Sequence, residues 1–399
     1  MILTLNAGSS SLKFALFRRG DAGSLAAVAE GLYENLGRPS AALTASFGAG
    51  PSRRAFTGGH EAALASLTEE LRGRDLLSPV SAVAHRVVHG GARFKEAVVV
   101  DAEVEAALEE LAVLAPLHNP VNLQGIRLAR RALDEAVVHV AVFDTAFHAT
   151  LPPQAYRYAV PQRWYEEYGV RKYGFHGTSH GYVAREAARL LAGGGRRHAR
   201  LVTLHLGNGC SAAAVLEGRC VDTTMGLTPL AGLVMGTRSG DVDPGLAAYL
   251  TGRGVGIAEQ NEALNKRSGL LGLAGDNDMR TLLARRDEGD AGARLAVGVF
   301  VYRLRKTVGA LAAALGGLDG LVFTAGIGEN AAAIRAEVCE GLEFLGIEVD
   351  AEVNAGRSGG VRLIGRGTCA VLVVPTDEER ALAEAAGALL GGQRFADAT

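Results

Sequence analysis

The 399 residues hold only four cysteines, and Cys210, Cys220, Cys339 and Cys369 show neither a CxxC pair nor a histidine at metal-finger spacing. A disulfide framework or structural zinc is therefore not expected. No apolar run is long enough to cross a bilayer, and Met1-Ile2-Leu3 leads directly into a strand-like run without a basic n-region or cleavage site. The expected setting is cytoplasmic, with no membrane partner. Charge of one sign is also missing: 41 Lys and Arg stand against 43 Asp and Glu, interspersed, for a net charge of -2. Without a basic stripe, nucleic-acid binding is not expected. The GxxxxGK[ST] string is absent, as is any protein-kinase signature, which excludes those two ATP-using classes as far as motifs can.

What remains is 48% apolar and 21% charged, the balance of globular material, in a chain too long for one compact core. Strand-like runs at 82–88, 138–143, 201–205, 321–323 and 370–374 alternate with helical stretches at 101–115, 122–132 and 180–191. That alternation predicts α/β layers. A boundary falls near 145–155, where Leu151-Pro152-Pro153 opens an aromatic stretch through Trp164 and Tyr168. The expected domains are 1–148 and 149–378, with a C-terminal helix at 379–399 packing back on the first. Segments 35–60 and 351–368, rich in glycine and polar residues, read as loops or short hairpins.

Three glycine-rich turns carry the chemistry. Asn6-Ala7-Gly8-Ser9-Ser10-Ser11-Leu12-Lys13 lies between strand-like runs 2–5 and 12–17, and it gathers hydroxyls, amide N–H groups and a cation as a phosphate site would. Taken alone, an ordinary serine-rich turn explains it as well. His205-Leu206-Gly207-Asn208-Gly209-Cys210-Ser211, between runs 201–205 and 212–216, repeats the device about half a chain later and suggests two related halves. Cys210 within it reads as a small loop filler or an oxidation-sensitive thiol. Thr324-Ala325-Gly326-Ile327-Gly328-Glu329-Asn330 joins strand 321–323 to a helical stretch at 331–344, whose N-terminus would suit a nucleotide. A purely structural strand-to-helix turn is the alternative.

His85, His89, His118, His148, His176, His180 and His205 all lie in or beside turns, where about two or three are expected to touch substrate and the rest to serve as hydrogen-bonding residues. Arg86 precedes Val87-Val88-His89-Gly90-Gly91, and Arg238 lies within Met235-Gly236-Thr237-Arg238-Ser239-Gly240-Asp241. Each is either a surface salt bridge or a bidentate clamp on carboxylate or phosphate. Asp144 and Glu378 follow strand-like runs, where a carboxylate can hold Mg²⁺ through water or cap the next helix.

Paired phosphate turns with a later nucleotide turn resemble the sugar-kinase, heat-shock-chaperone and actin superfamily. The resemblance narrows further. NAGSSSLKF at 6–14, HRVVHGG at 85–91, FDTAFH at 143–148, YGFHGTSH at 173–180, HLGNG at 205–209, MGTRSGDVDPG at 235–245 and TAGIGEN at 324–330 resemble, in order and across the chain, the motifs of the acetate kinase family. That resemblance implies two ribonuclease-H-like α/β domains with an interdomain active-site cleft, a homodimer, and phosphoryl transfer between ATP and acetate to give acetyl phosphate and ADP. By the same resemblance, Asn6 and Glu378 help hold Mg²⁺ (or Mn²⁺), Lys13 approaches the phosphates, and Arg86 binds the substrate carboxylate. Asp144 matches the active-site acid, and His176 with Arg238 matches the pair that stabilises the transferring group. The ATP segments are His205, Leu206, Gly207, Asn208 and Gly209, then Asp278, Met279 and Arg280, then Gly326, Ile327, Gly328, Glu329 and Asn330. Met279 departs mildly from the bulkier apolar or aromatic residue usual in the family, so adenine stacking is expected to be altered.

An ionised acetate needs no general base, so the obstacle is bringing one anion to another. Arg86, Arg238, His176 and Mg²⁺ offset that repulsion in this reading, and Asp144 orients Arg238 or metal-bound water. Val88, Leu117, Phe175 and Pro229 are implied as an apolar pocket for the methyl group. Propionate kinase has the same chemistry with a roomier pocket and is the nearest alternative. A non-enzymatic nucleotide switch would share the phosphate loops but not the substrate-side motifs around Arg86 and His176.

Overall fold

Alternating large side chains along the first two strands decide the architecture of the N-terminal region. In β1 (Ile2–Gly8) and β2 (Ser11–Arg19), Leu3, Leu5, Leu12, Phe14 and Leu16 enter one core together with Leu64, Leu67 and Leu71 of the helix His60–Arg72. Ile2, Ala15 and Phe17 enter a second core with Val140 and with Leu382 and Ala386 of the helix Glu378–Leu390. A period of two with both faces apolar is the signature of a central strand covered on each side. The turn between β1 and β2 closes at the Gly8 and Ser11 pair, and a Cβ on Gly8 would sit 2.7 Å from Ser11 Oγ, so the tight approach favours glycine.

The computed structural model describes residues 1–20, 23–48, 50–193, 199–356 and 359–391. They divide into two units, one comprising Met1–Phe147 and Asp377–Thr399, the other His148–Thr376. In the first, β3 (Leu25–Glu34), β4 (Ala42–Ser46), β5 (Pro51–Ala55), β6 (Ala82–Val87), β7 (Val98–Val99) and β8 (Val138–Phe143) join β1 and β2 in the order β5-β4-β3-β2-β1-β6-β8-β7. In the second, β9 (Arg200–Leu206), β10 (Cys210–Leu216), β11 (Arg219–Thr223), β12 (Gly320–Thr324), β13 (Arg362–Leu363) and β14 (Ala370–Val373) form the order β11-β10-β9-β12-β14-β13. Each sheet pairs its first strand antiparallel to the next strand and parallel to a later one: β1 with β2 and β6, β9 with β10 and β12. The two glycine turns therefore occupy equivalent places in two copies of one α/β topology.

In the second unit, the helix Ala291–Leu315 buries Ala293, Val297, Phe300, Leu304, Val308, Leu311 and Leu315, spaced three or four apart, with Val301 widening the stripe. Asp290 caps its start by accepting from Ala293 N at 2.9 Å, and left-handed Gly316 ends it.

Two expectations change. The helix placed at 331–344 begins earlier and breaks: residues Ala325–Asn330 are already helical, Ala332–Cys339 follows, and Gly341 at φ 79 precedes a 3-10 turn at Glu343–Leu345. Glu329 explains the early start, because its Oε1 accepts from Ala325 N at 2.8 Å and from Thr376 N at 3.1 Å. The C-terminal helix runs Glu378–Leu390; residues 392–399 lie outside the described residues, as do 49 and 357–358 of the expected loops. Among the described residues, no helix is long and apolar enough to cross a membrane.

Candidate active site

The parallel register of β6 and β8 sets Arg86 opposite Val142, so Arg86 and the residue just past the end of β8 emerge together. That residue is Asp144, and it meets Arg86 twice, with Nε donating to Oδ1 at 2.9 Å and Nη2 to Oδ2 at 2.7 Å. Nη1 lies 3.4 Å from Asn6 Oδ1. Asp144 is 1% exposed, so the pair is no surface salt bridge, and the fork that a substrate clamp would use is largely occupied by the protein's own carboxylate. Asp144 therefore holds Arg86 in place, a partnership that the sequence reading did not include.

Burial opposes the Arg86 charge, but Asp144, then Glu378 and Glu379, outweigh it and hold the guanidinium pKa above its ordinary value. Glu378 Oε2 lies 3.8 Å from Arg86 Nε, beyond a hydrogen bond, and is buried without a hydrogen-bond partner. Glu379 Oε2 takes Lys13 Nζ at 2.6 Å, while its Oε1 is likewise buried and unpartnered. Asp377, not Glu378, caps the helix, accepting from Arg380 N at 2.9 Å. Lys13 sits opposite Asn6 in the β1–β2 register.

Sequence reasoning missed the scaffold of the neighbouring turn. Asn122 Oδ1 accepts from Val88 N at 3.1 Å while its Nδ2 donates to Ala7 O at 2.9 Å, tying the Val88 turn to the first glycine turn. Asn119 Oδ1 accepts from His89 N at 3.1 Å, its Nδ2 donates to His89 O at 2.9 Å, and Thr145 Oγ1 accepts from Gly90 N at 3.0 Å. The only sequence cue was the Asn-Pro start of the helix Asn119–Ala132. Val88 is buried, whereas Leu117 is 53% exposed.

In the second unit, His176 stands at φ 56 just before the helix Gly177–Gly193, a left-handed setting that is strained for a non-glycine residue. Its Nδ1 pairs with Ser211 Oγ at 2.8 Å. Over Gly209, a Cβ would lie 3.0 Å from Arg238 Nη2 and 3.3 Å from His176 Cε1 and Nε2, so the guanidinium and imidazole tips converge on the face that this glycine leaves open. Arg238 Nη1 donates to Pro229 O at 2.6 Å, and its loop is pinned by Met235 N donating to Arg238 O and by Leu270 N donating to Met235 O. His205 stacks on His176 with centroids 4.3 Å apart and rings inclined at 22°. Phe175 is buried, and its carbonyl lies 2.8 Å from His148 Nε2. Cys210 is fully buried and donates to Gly207 O; burial pushes its thiol up to about 12, which leaves the filler reading.

Beside Gly209 opens a cleft of about 1200 Å³, lined by Gly207, Asn208, Asp278, Met279, Arg280, Gly326, Ile327, Glu329 and Asn330. It also takes in Asn277, Leu283, Arg335 and Arg362, which the motifs did not flag. Leu206 is buried, and it lies outside that lining together with His205, Gly209 and Gly328. Asp278 caps the next helix; a side-chain hydrogen bond from Arg280 is the main reason its carboxyl is lowered to about 2. Met279 is 4% exposed. Arg335, 1% exposed, donates to Gly328 O and Glu329 O, both at 2.9 Å, and to Asn354 Oδ1 at 2.7 Å. Burial lowers its pKa to about 10, with Arg362 adding to the effect. Arg335 thus braces the TAGIGEN segment from beneath.

The profile of the acetokinase family matches residues 1–384. The chain belongs to the acetokinase family. Curated relatives include the acetate kinase of Deinococcus radiodurans, 50% identical over 402 residues covering 99% of each chain, and that of Streptomyces griseus, 50% identical over 407 residues covering 99% of this chain and 98% of the other. Among solved structures, a propionate kinase from Francisella tularensis matches with a TM-score of 0.90 at 39% identity, covering 96% of this chain and 98% of the other. An acetate kinase from Porphyromonas gingivalis matches at 0.88 and 41%, covering 98% and 99%. The two-sheet α/β fold expected from the motifs is thereby shown, together with kinase chemistry.

Within this acetokinase fold, the surroundings of Arg86 suit a divalent cation. The carboxylates of Asp144, Glu378 and Glu379 exceed the local cations Arg86 and Lys13, and two of their buried oxygens lack partners. Among the described residues, no cluster of three or more His, Cys, Asp or Glu side chains forms a metal cage. That sparse set fits Mg²⁺, which keeps several waters and takes few protein ligands beside phosphate.

Proposed function

We propose that this chain transfers the γ-phosphoryl group of ATP to acetate by direct in-line attack, reversibly, giving acetyl phosphate and ADP. The observation that carries the reading is the convergence of His176 Nε2 and Arg238 Nη2 over Gly209, next to the Gly207–Asn208 edge of the large cleft. Charge on the equatorial oxygens of a phosphoryl group in flight is stabilised by fixed cations and donors. In this role Arg238 and His176 receive the transferring group, and the cleft takes the nucleotide.

Acetate attacks as its carboxylate, so no residue has to remove a proton. Arg86, held by Asp144, meets it through the Nη1 edge that faces Asn6 rather than through a full fork. Asn6 and Glu378 would hold Mg²⁺, which when bound neutralises charge on the nucleotide phosphates; Lys13 adds to that field. Val88, Leu117, Phe175 and Pro229 are proposed to receive the methyl group, on the family resemblance alone. Homodimerisation and a cytoplasmic setting rest on the same resemblance.

Propionate is the second substrate to weigh, because the Francisella structure at 39% identity is a propionate kinase. ADP release measured with acetate, propionate and butyrate, alongside trapping of the acyl phosphate as a hydroxamate, decides between them. Acetate is expected to give the highest kcat/KM. ATP binding without acid-dependent ADP release would overturn the reading.

A further inference from the structure

His148 closes the FDTAFH motif, is fully buried, and has no part in the mechanism above. Its Nε2 lies 2.8 Å from the carbonyl oxygen of Phe175, the residue just before His176. A carbonyl can only accept, so His148 carries a proton on Nε2 and donates it there. Across the ring, Nδ1 lies 3.1 Å from Cys220 Sγ, and Thr150 Oγ1 donates to Cys220 O at 2.8 Å. Burial, then Asp222, push the Cys220 pKa up, so that neighbour is an uncharged thiol. One edge of the ring is thus set against β11, and the other reaches the Phe175 peptide.

A glycine clears the seat of this ring. A Cβ on Gly174, which stands at φ 79, would lie 2.6 Å from His148 Cγ and 2.7 Å from both His148 Cδ2 and Thr223 Cγ2. Any side chain there would have to move the ring or the strand.

The effect of the contact falls on His176. Peptide units are planar, so only the two torsions at His176 relate the 175–176 plane to the 176–177 plane. The second plane is held by the helix Gly177–Gly193, where His180 N donates to His176 O at 2.9 Å. The first is held by His148. Between them His176 stands at φ 56, in the region that strains a residue with a side chain. Relaxing to the ordinary helical φ of about −63° would turn the first plane by about 120° and carry the Phe175 carbonyl off the His148 ring. The relaxed backbone and the His148 contact exclude each other.

We infer that His148 is a positioning residue for phosphoryl transfer: by donating to the Phe175 carbonyl, it holds His176 in the left-handed conformation that brings Nε2 over Gly209. The inference rests on the reading that His176 Nε2 meets the transferring group. Ser211 Oγ, 2.8 Å from His176 Nδ1, touches the imidazole itself, whereas His148 acts on the backbone that carries it. The FDTAFH motif then has two members with separate tasks, Asp144 holding Arg86 and His148 holding His176.

The test is a double-mutant cycle on the full-length protein, read as acetyl hydroxamate formation. His148→Leu removes the donor, and kcat is expected to fall about tenfold, the scale of one lost hydrogen bond, with KM for ATP and for acetate within about twofold of wild type. His148→Gln places an amide N–H near the position of Nε2 and is expected to restore kcat to within about threefold. In a His176→Ala background, the same His148→Leu change is expected to lower the rate by less than about twofold, because a residue that acts through His176 has nothing left to position. An equal fall in both backgrounds marks a merely structural role and overturns the inference, as does a His148→Leu protein with wild-type kcat.

Nitrogen-15 NMR of histidine-labelled wild-type protein gives a second reading that does not depend on how the leucine variant folds, with the His148 signals assigned by comparison with His148→Gln. His148 is expected to carry its proton on Nε2, and a neutral ring protonated on Nδ1 alone overturns the inference. Wild-type protein that makes no acyl phosphate from any short-chain acid would defeat the functional reading instead, and the NMR result, which involves no substrate, would stand apart from it.

Discussion

Replacing Gly209 by alanine adds one methyl group at the point where Arg238 and His176 meet. The new Cβ would stand 3.0 Å from Arg238 Nη2 and 3.3 Å from His176 Cε1 and Nε2, against an ordinary contact that begins at 3.4 Å. The side-chain tips must therefore retreat by a few tenths of an ångström. A displacement of about 1 Å in a catalytic group costs on the order of 100-fold in rate, so roughly half of that shift predicts about a tenfold fall in kcat. Because the strain falls on two side-chain tips rather than on the sheet, the melting temperature is expected to stay within about 3 °C of wild type, the shift that a change well under 1 kcal/mol would give. The assay is steady-state acetyl hydroxamate formation at saturating ATP and acetate, run beside a thermal melt. A variant that melts normally and keeps wild-type kcat would refute the argument that these two tips act at Gly209.

Further outcomes follow from the same geometry. Asp144→Asn removes the charge from the doubly bonded partner of Arg86, and the loss of a charge-assisted hydrogen bond, about 1.5 to 3 kcal/mol, predicts a fall in kcat/KM for acetate of roughly 10- to 100-fold. Full turnover with unchanged Mg²⁺ dependence would remove Asp144 from the site. Val88→Ala should raise the propionate-to-acetate ratio of kcat/KM, because one methylene in an apolar pocket is worth about 1 to 3 kcal/mol; an unchanged ratio would take Val88 out of the pocket. His85 Nε2 and His139 Nδ1 lie 2.9 Å apart in the first unit, and burial holds both rings below the ordinary histidine pKa, His139 at about 4. The unfolded chain then binds more protons than the folded one between about pH 6.5 and 4, so stability is full above that window and is lost as pH falls through it. For His139 alone the loss between pH 7.5 and 5 is about 2 kcal/mol, measurable by urea titration and expected to disappear largely in His139→Phe.

Local patterns were readable in the sequence, and long-range partnerships were not. Gly8 and Gly209 announce themselves as glycines in short polar turns between strand-like runs, and the two strand-turn-strand units repeat within short stretches. Arg86 and Asp144 each stood out by position, yet their pairing spans 58 residues and depends on the β6–β8 register, which no local string encodes. His180 stood among the turn histidines and Ser211 in the second glycine turn, yet the hydrogen bonds that join them to Thr203 cross a helix and two strands, which no local string encodes. Arg335 gave no signal at all, as a lone arginine in an alanine-rich helix, and it braces the TAGIGEN backbone from a fully buried position. Glu329 shifted a helix boundary by folding its carboxylate back onto Ala325 N, a contact that intrinsic propensities do not foresee.

The most direct check is single-turnover formation of acetyl phosphate from ATP and acetate by wild-type protein and by Arg238→Ala, with ATP affinity measured on both. Loss of a fixed cation that acts only on the charge of the transferring group predicts a rate on the order of 100-fold lower, with ATP affinity within a few-fold of wild type. An Arg238→Ala protein that forms acetyl phosphate at the wild-type rate would contradict the account.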